Sequence, residues 1–211
     1  MEAPEHYAAI KEPGKFRILV LCGPSAAGKT TLGRRLGLPE LVSHTSRPPR
    51  PGEVDGVDYY FTSRSKLYGL YVLGDLVEYN IYGGHVYGLS EDEVAAKLEE
   101  HPVVFVVMER QGVLQLKQHP ICGPMVRVAF ITAPKSELER RMRARGDAAD
   151  DIQARLARYS EDLKGCYIAD ISVSNESLDK TVEMLRGAVA DWSLKKGGVG
   201  PNESQAMREV Q

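Results

Sequence analysis

The chain has 211 residues, 27 Lys and Arg against 29 Asp and Glu, a formal charge of −2 at pH 7, and 43% hydrophobic residues. That length suits one domain with room for an inserted subdomain and a sizeable core. The near-neutral balance excludes a general nucleic-acid binder, and the longest apolar runs, at 18–22 and 103–108, are far shorter than the roughly 20 residues of a membrane span. The first fifteen residues are acidic and polar where a secretory leader would be basic and then apolar. Three cysteines, Cys22, Cys122 and Cys166, are odd in number and far apart, which suits reduced thiols and a cytoplasmic location.

In chain order, residues 16–22 (FRILVLC) form an apolar, β-branched run that predicts a buried first strand. A helix should start in the glycine-rich stretch that follows and stop at Gly37 and Pro39. Residues 43–90 differ in texture, rich in Tyr, Gly and Pro, with polar alternation at 76–82 and 85–89. They predict a small, mostly antiparallel insertion with a short helix near 65–70. Ser90 with Glu93 caps a helix leading back to the core. Buried strands are expected at 103–108 and 126–132, with Ser136 to Glu139 as the capping box of the helix after the second. A helix begins at Asp150, a short strand lies at 170–174, an amphipathic helix at 177–194, and a frayed tail at 195–211. Alternating strands and helices mean an α/β domain with a mainly parallel sheet, helices on both faces.

Residues 23–30 (GPSAAGKT) fit G-x-x-x-x-G-K-[ST] between a predicted strand and a predicted helix. Glycines allow the backbone N–H groups of Ser25, Ala26, Ala27, Gly28, Lys29, Thr30 and Thr31 to surround phosphate oxygens at a helix N-terminus. Lys29 can reach the β- and γ-phosphates and the Thr30 hydroxyl can ligate Mg²⁺. The loop therefore implies ATP or a similar triphosphate with Mg²⁺, and leaves the acceptor open.

The block 43–59 sets Arg47 and Arg50 three apart among Pro48, Pro49 and Pro51, followed by Glu53 and Tyr59. Prolines stiffen the loop, so two guanidinium forks keep fixed directions with little entropy to lose, which suits a phosphate monoester. With Ser43, Thr45, Gly52, Asp55 and Gly56, and with the phosphate loop before it, this block resembles the guanylate kinase family over residues 16–190. The resemblance implies a P-loop core (16–42 and 91–190), a monophosphate-binding insertion at 43–90 and an arginine-bearing helical lid at about 141–158. It implies that Ser43, Arg47, Arg50, Tyr59 and Tyr87 hold the acceptor phosphate, with Glu53 orienting an arginine. Glu78 would accept from guanine N1–H and the 2-amino group, a pair of donors that adenine lacks. Arg141, Arg145 and Arg155 match the lid arginines, and Asn175 a position near the ATP adenine. Tyr59 and Tyr87 could equally be packed aromatics, and Asn175 a turn residue. Arg140, Arg143 and Arg158 read as solvated ion-pair residues.

The chain departs from the family in three places. Leu89 stands where a Ser or Thr hydroxyl meets guanine O6. Val107 replaces the first of two acidic residues on a strand and Glu109 keeps the second, usually Asp. The stretch from Lys29 to Arg47 is shorter than usual.

Leu89 neither donates nor accepts, so the expected enzyme phosphorylates GMP or dGMP, or, with the 6-position read loosely, a 6-modified relative such as a 2,6-diaminopurine nucleotide. Two further readings are a non-catalytic guanylate-kinase-like interaction module, against which the intact Gly28, Lys29 and Thr30 weigh, and a kinase of another acceptor such as a sugar phosphate. The partners are nucleotides, with neither nucleic acid nor membrane, in a monomer or homodimer. His44 and His85 read as exposed loop residues and Cys22 as a small core residue, and the five histidines show no ligand spacing for a protein-built metal site.

Overall fold

The computed structural model describes residues 15–194. The core sheet is β1 (Ile18–Cys22), β6 (Val104–Val107), β7 (Val126–Thr132) and β8 (Ile171–Ser174), all parallel, in the order β6-β1-β7-β8. A parallel sheet covered on both faces favours apolar side chains at successive positions, which is why the central β1 and its neighbour β6 read as unbroken runs. Alternate residues divide between two cores. Ile18, Val20, Cys22, Val104, Val106, Val128 and Phe130 face Val94 and Leu98 of α3 (Glu91–Glu100) and Val113 and Leu116 of α4 (Arg110–Gln118). Leu19, Leu21, Phe105, Ala129 and Ile131 face α1 (Lys29–Leu36), α5 (Lys135–Ala144), α6 (Ala149–Ala157) and α8 (Leu178–Leu194) through Leu32, Leu138, Met142, Ile152 and Leu185.

The insertion forms a second sheet, ordered β3-β2-β5-β4, from β2 (His44–Thr45), β3 (Tyr60–Phe61), β4 (Leu76–Tyr82) and β5 (His85–Ser90). The β4–β5 and β2–β5 pairs are antiparallel and β2–β3 is parallel. Helix α2 (Arg64–Leu73) is longer than the residues 65–70 expected, and Ser63 caps it by accepting from Lys66 N–H. The Ser90 cap of α3 forms as read, with its hydroxyl accepting from Glu93 N–H at 3.4 Å.

Several boundaries differ from expectation. The first strand starts at Ile18; Phe16 instead packs edge-on against Trp192, 5.5 Å between ring centroids. The helix after β7 starts at Lys135, so Ser136 and Glu139 lie inside it and form no capping box. Pro134 takes the cap position, its carbonyl accepting from Glu137 and Leu138, while the Glu137 carboxylate is taken by Arg140 and Arg141. The helix expected from Asp150 starts at Ala149, breaks at Arg158 and continues as α7 (Tyr159–Asp162) and a 3-10 turn, Leu163–Ile168. The tail expected at 195–211 lies outside the described residues.

Candidate active site

A cleft runs between the glycine-rich loop at the end of β1, the insertion sheet and the α5–α6 region. On the first side, Lys29 opens α1 directly after Gly28, whose left-handed φ of 92° turns the chain into the helix. A side chain at 28 would also collide with Asn175 Nδ2, 2.6 Å from the Cβ position. Lys29 Nζ donates to the carbonyls of Gly23 and Pro24, both at 2.7 Å, so it lies along the loop. Desolvation lowers its pKa to about 8. Arg155 Nη1 donates to Ser25 Oγ at 3.0 Å and spans from α6 to the loop. Ser25, Ala26, Gly28, Thr30 and Thr31 line the cleft.

Arg141 lines the cleft and is also bonded into the architecture. Its guanidinium pairs with Glu137 at 2.7 Å and donates to the Asn175 carbonyl at 2.8 Å, with longer contacts of 3.4 and 3.5 Å to the carbonyls of Ala26 and Ala27. Asn175 is 3% exposed and donates through Nδ2 to the Ala27 carbonyl at 2.8 Å, which places it beneath the loop and away from the cleft lining where an adenine contact was expected. Ala27 likewise turns inward: its side chain is fully buried and its N–H meets the Pro24 carbonyl at 3.4 Å. Arg145, the residue that caps α5, is exposed, pairs with Asp147 and lines the cleft.

On the opposite side, the Glu53 carboxylate organises the proline-stiffened loop. It takes Arg47 Nη2 at 2.8 and 2.9 Å and the backbone N–H of Arg50 at 2.7 Å. Arg47 is 9% exposed, wedged over Tyr59 and Phe61 at 5.4 and 5.9 Å from the ring centroids. Tyr59 meets Tyr87 edge to face at 6.0 Å, and burial pushes the Tyr59 phenol up to about 12. Among the described residues the half-buried Arg50 side chain has only a 3.8 Å contact to Glu53, and its pKa is lowered by burial and then by Arg47, Arg155 and Arg145. Four guanidiniums thus crowd a region that also includes Ser43 and Thr30, an arrangement stabilised by an anion placed between them.

The third wall is β4 and β5. Glu78, Asn80 and Tyr82 alternate along β4, facing His85 and Tyr87 of β5, and all five line the cleft. Glu78 is 5% exposed and lies so close to Gly112 of α4 that a Cβ there would stand 2.8 Å from Oε1. Burial, with Glu109 adding to it, pushes Glu78 up to about 8. Glu109 is raised in the same direction by burial, and its Oε1 is buried without a partner among the described residues.

Leu89 differs from its expected place at the base. It lies opposite Glu78 on β5 but is fully buried in the apolar cluster with Val94, Met108 and Val113, and it does not line the cleft. His44 and His85, read as loop residues, are half-buried strand residues; His44 stacks on Tyr60 at 4.8 Å. Cys22 is buried in β1 and its thiol is pushed up to about 11 by burial. Sequence reading passes over Asn80, Tyr82 and Arg158, although the Glu78-x-Asn80-x-Tyr82 alternation carries the signal for the first two. Arg158 reads from sequence as a solvated helix residue; its guanidinium stacks 4.1 Å over the Tyr82 ring and joins the lid region to the insertion.

Among the described residues no helix is long and apolar enough to cross a membrane, and no group of three or more His, Cys, Asp or Glu could hold a metal ion. The guanylate kinase family model matches residues 15–191. The chain is 36% identical over 189 residues to guanylate kinase from Thermosynechococcus vestitus, covering 86% of this chain and 96% of that one. It is 40% identical over 176 residues to the guanylate kinase of Gloeobacter violaceus, covering 80% and 84%, and 34% identical over 198 residues to that of Thermus thermophilus, covering 91% and 89%. The fold matches the crystal structure of guanylate kinase from Anaplasma phagocytophilum with a TM-score of 0.70 at 22% identity, over 87% of this chain and 89% of that one. The glycine-rich loop on a parallel sheet, the arginine-bearing insertion across the cleft and the extent of these matches together make the chain a member of the guanylate kinase family.

Proposed function

We propose that the protein transfers the γ-phosphoryl group of ATP to GMP or dGMP. The observation that carries this reading is the facing of two sites across one cleft: a phosphate loop with Lys29 and Arg155 on one wall, and Arg47, Arg50 and Tyr59 beside the buried carboxylate of Glu78 on the other. Phosphoryl transfer requires positioning and neutralisation of charge more than covalent help from the protein. Lys29 exchanges its two loop carbonyls for phosphate oxygens. Arg145 and Arg155 sit where charge passes between donor and acceptor, and the Glu53 clamp fixes Arg47 and Arg50 before the acceptor phosphate arrives. No general base is demanded.

The site suits Mg²⁺. The Thr30 hydroxyl lines the cleft at the start of α1, without an acidic cluster among the described residues, and Mg²⁺ is commonly held by one or two protein oxygens, phosphates and water. When bound beside Thr30, the ion would supply neutralisation of phosphate charge. Glu78 confers the base preference: as a carboxylate it offers two acceptors to guanine N1–H and the 2-amino group, where adenine offers one acceptor and no 2-amino donor.

The test is ADP formation from Mg-ATP with GMP, dGMP, IMP, AMP and 2,6-diaminopurine riboside monophosphate as acceptors. GMP and dGMP should be phosphorylated, with AMP lower by two or more orders of magnitude. Turnover favouring AMP, or no turnover together with no ATP binding, would overturn the proposal, the latter in favour of an interaction module.

A further inference from the structure

The sequence leaves the guanine 6-oxo group without a reader, because Leu89 has no polar atom and is fully buried. A different residue supplies one. Asn80 lies two residues after Glu78 on β4, so both side chains leave the same face of the sheet and their Cα atoms are about 6.5 Å apart, a spacing that can bracket one base edge. Its amide orientation is fixed by chemistry rather than by choice. The Ile81 backbone N–H, which can only donate, meets one amide atom of Asn80 at 2.8 Å; that atom is therefore Oδ1. The other atom is then Nδ2, which is buried and has no partner among the described residues. A donor closed to water and paired with nothing is an unfavourable arrangement, and an acceptor carried in by a ligand relieves it.

On guanine the acceptor O6 neighbours N1–H. A carboxylate on N1–H and the 2-amino group, with an amide N–H on O6, satisfies the whole edge. We infer that Asn80 is the specificity-determining donor for the base 6-oxo group, a role that the buried, apolar Leu89 cannot fill. This rests on the guanine reading above and makes it stricter. A 6-amino group brings a donor to meet a donor, and the same base has no N1–H to offer Glu78, so the 2,6-diaminopurine nucleotide should be rejected; the share due to Asn80 is read from the variants.

The experiment compares kcat/KM for GMP with that for 2-aminopurine riboside monophosphate, which keeps the 2-amino group and has neither a 6-substituent nor N1–H, in the wild type, Asn80→Ala and Asn80→Asp; the constant loss at N1 cancels when variants are compared. Asn80→Ala should lower the GMP value roughly ten- to a hundredfold and change the 2-aminopurine value less than about threefold. Asn80→Asp is nearly isosteric and places an oxygen where Nδ2 was. It should lower the GMP value at least as far and raise the ratio of 2,6-diaminopurine nucleotide to GMP above that of Asn80→Ala. An unchanged GMP to 2-aminopurine ratio in both variants, with wild-type melting temperatures, would overturn the inference, as would a wild type that accepts the diaminopurine nucleotide as well as GMP. Both results leave GMP kinase activity intact and so stand apart from failure of the functional proposal, in which the wild type itself does not phosphorylate GMP.

Discussion

Around the glycine-rich loop the charged side chains are bonded into the protein. Lys29 holds two loop carbonyls, Arg141 holds Glu137 and the Asn175 carbonyl, and Asn175 holds Ala27. Across the cleft Arg47 is likewise bonded, twice to Glu53, but other polar groups are left open. Arg50 has only a long contact to Glu53, Asn80 keeps a buried N–H unpaired, and Glu109, between the two walls, keeps a buried oxygen unpaired, each among the described residues. The donor wall presents backbone geometry, which recognises any triphosphate. The acceptor wall presents open hydrogen-bonding capacity, which on the proposed reading selects one base. Preorganisation extends to both walls, through the loop bonds on the first and the Glu53 clamp on the second, while the proposed discrimination lies with the unpaired groups of the second.

The largest expected effects break the two walls separately. Lys29→Met should lower kcat by roughly a thousandfold or more with little change in the KM for GMP, because it removes charge from the transferring phosphates. Arg50→Ala should lower kcat/KM for GMP by roughly a hundred- to a thousandfold, since among the described residues Arg50 has no close side-chain partner to lose and on the proposed reading its interactions are made with the acceptor. Steady-state kinetics with each substrate varied in turn separates them. Equal effects of Arg50→Ala on both KM values, with kcat unchanged, would contradict the division.

The next effect is in pH. Burial raises the Glu78 carboxyl to about 8, so at pH 7 most of the free protein holds it protonated, with one acceptor where guanine needs two. Because binding uses the ionised form, kcat/KM for GMP should rise about tenfold per pH unit up to about 8 and then level off. Glu78→Gln should be roughly ten- to a hundredfold slower and lose that rise. Stability moves in the opposite direction. A carboxyl with a raised folded pKa makes the folded state bind more protons than the unfolded one, so between the ordinary carboxyl range and about 8 stability falls as pH rises. Glu78→Gln should therefore melt higher than the wild type at about pH 8.5 and differ little at about pH 4.5.

The contrast between the walls also explains what can be read from sequence. The phosphate loop is legible because its function is local: eight consecutive residues determine the backbone path, and the strand before and helix after are strongly patterned. Arg47, Arg50 and Glu53 are legible because they share one short loop. Asn80 does not stand out in the sequence because its meaning depends on a bond to Ile81 and on pairing with β5, neither of which is a matter of spacing alone. Leu89 is misplaced by sequence for the same reason. Its position puts it at the base pocket beside Tyr87, and only tertiary packing against Val94 and Val113 shows it sealed in the core. Position alone makes Asn175 a nucleotide contact, whereas its hydrogen bond supports the loop from below; Arg141 lines the cleft and supports the loop as well.

That packing sets the expectation for Leu89→Ser, which would restore a hydroxyl at this position. Removing a fully buried leucine and leaving a hydroxyl in an apolar cluster should cost about 2–5 kcal/mol of stability, read as a lowered melting temperature. The preference for GMP over the 2,6-diaminopurine nucleotide should stay as it was, because the residue does not reach the cleft. A sharpened preference without loss of stability would show that Leu89 does reach the base.

The smallest effect concerns the join between the walls. Arg158 sits where α6 breaks into α7 and stacks 4.1 Å over Tyr82, the last residue of β4 on the cleft face. A cation over an aromatic face contributes about 0.5–2 kcal/mol, depending on how far water is excluded. Here Arg158 is exposed, so the lower half of that range applies, and Tyr82→Leu should raise the KM for both nucleotides by roughly two- to fivefold with kcat little changed. The effect should survive high salt better than that of Arg50→Ala, since the stacked pair is at contact distance while an arriving phosphate is drawn in through screened solvent. A KM change confined to GMP would place Tyr82 on the acceptor wall alone, with no part in holding the two walls together.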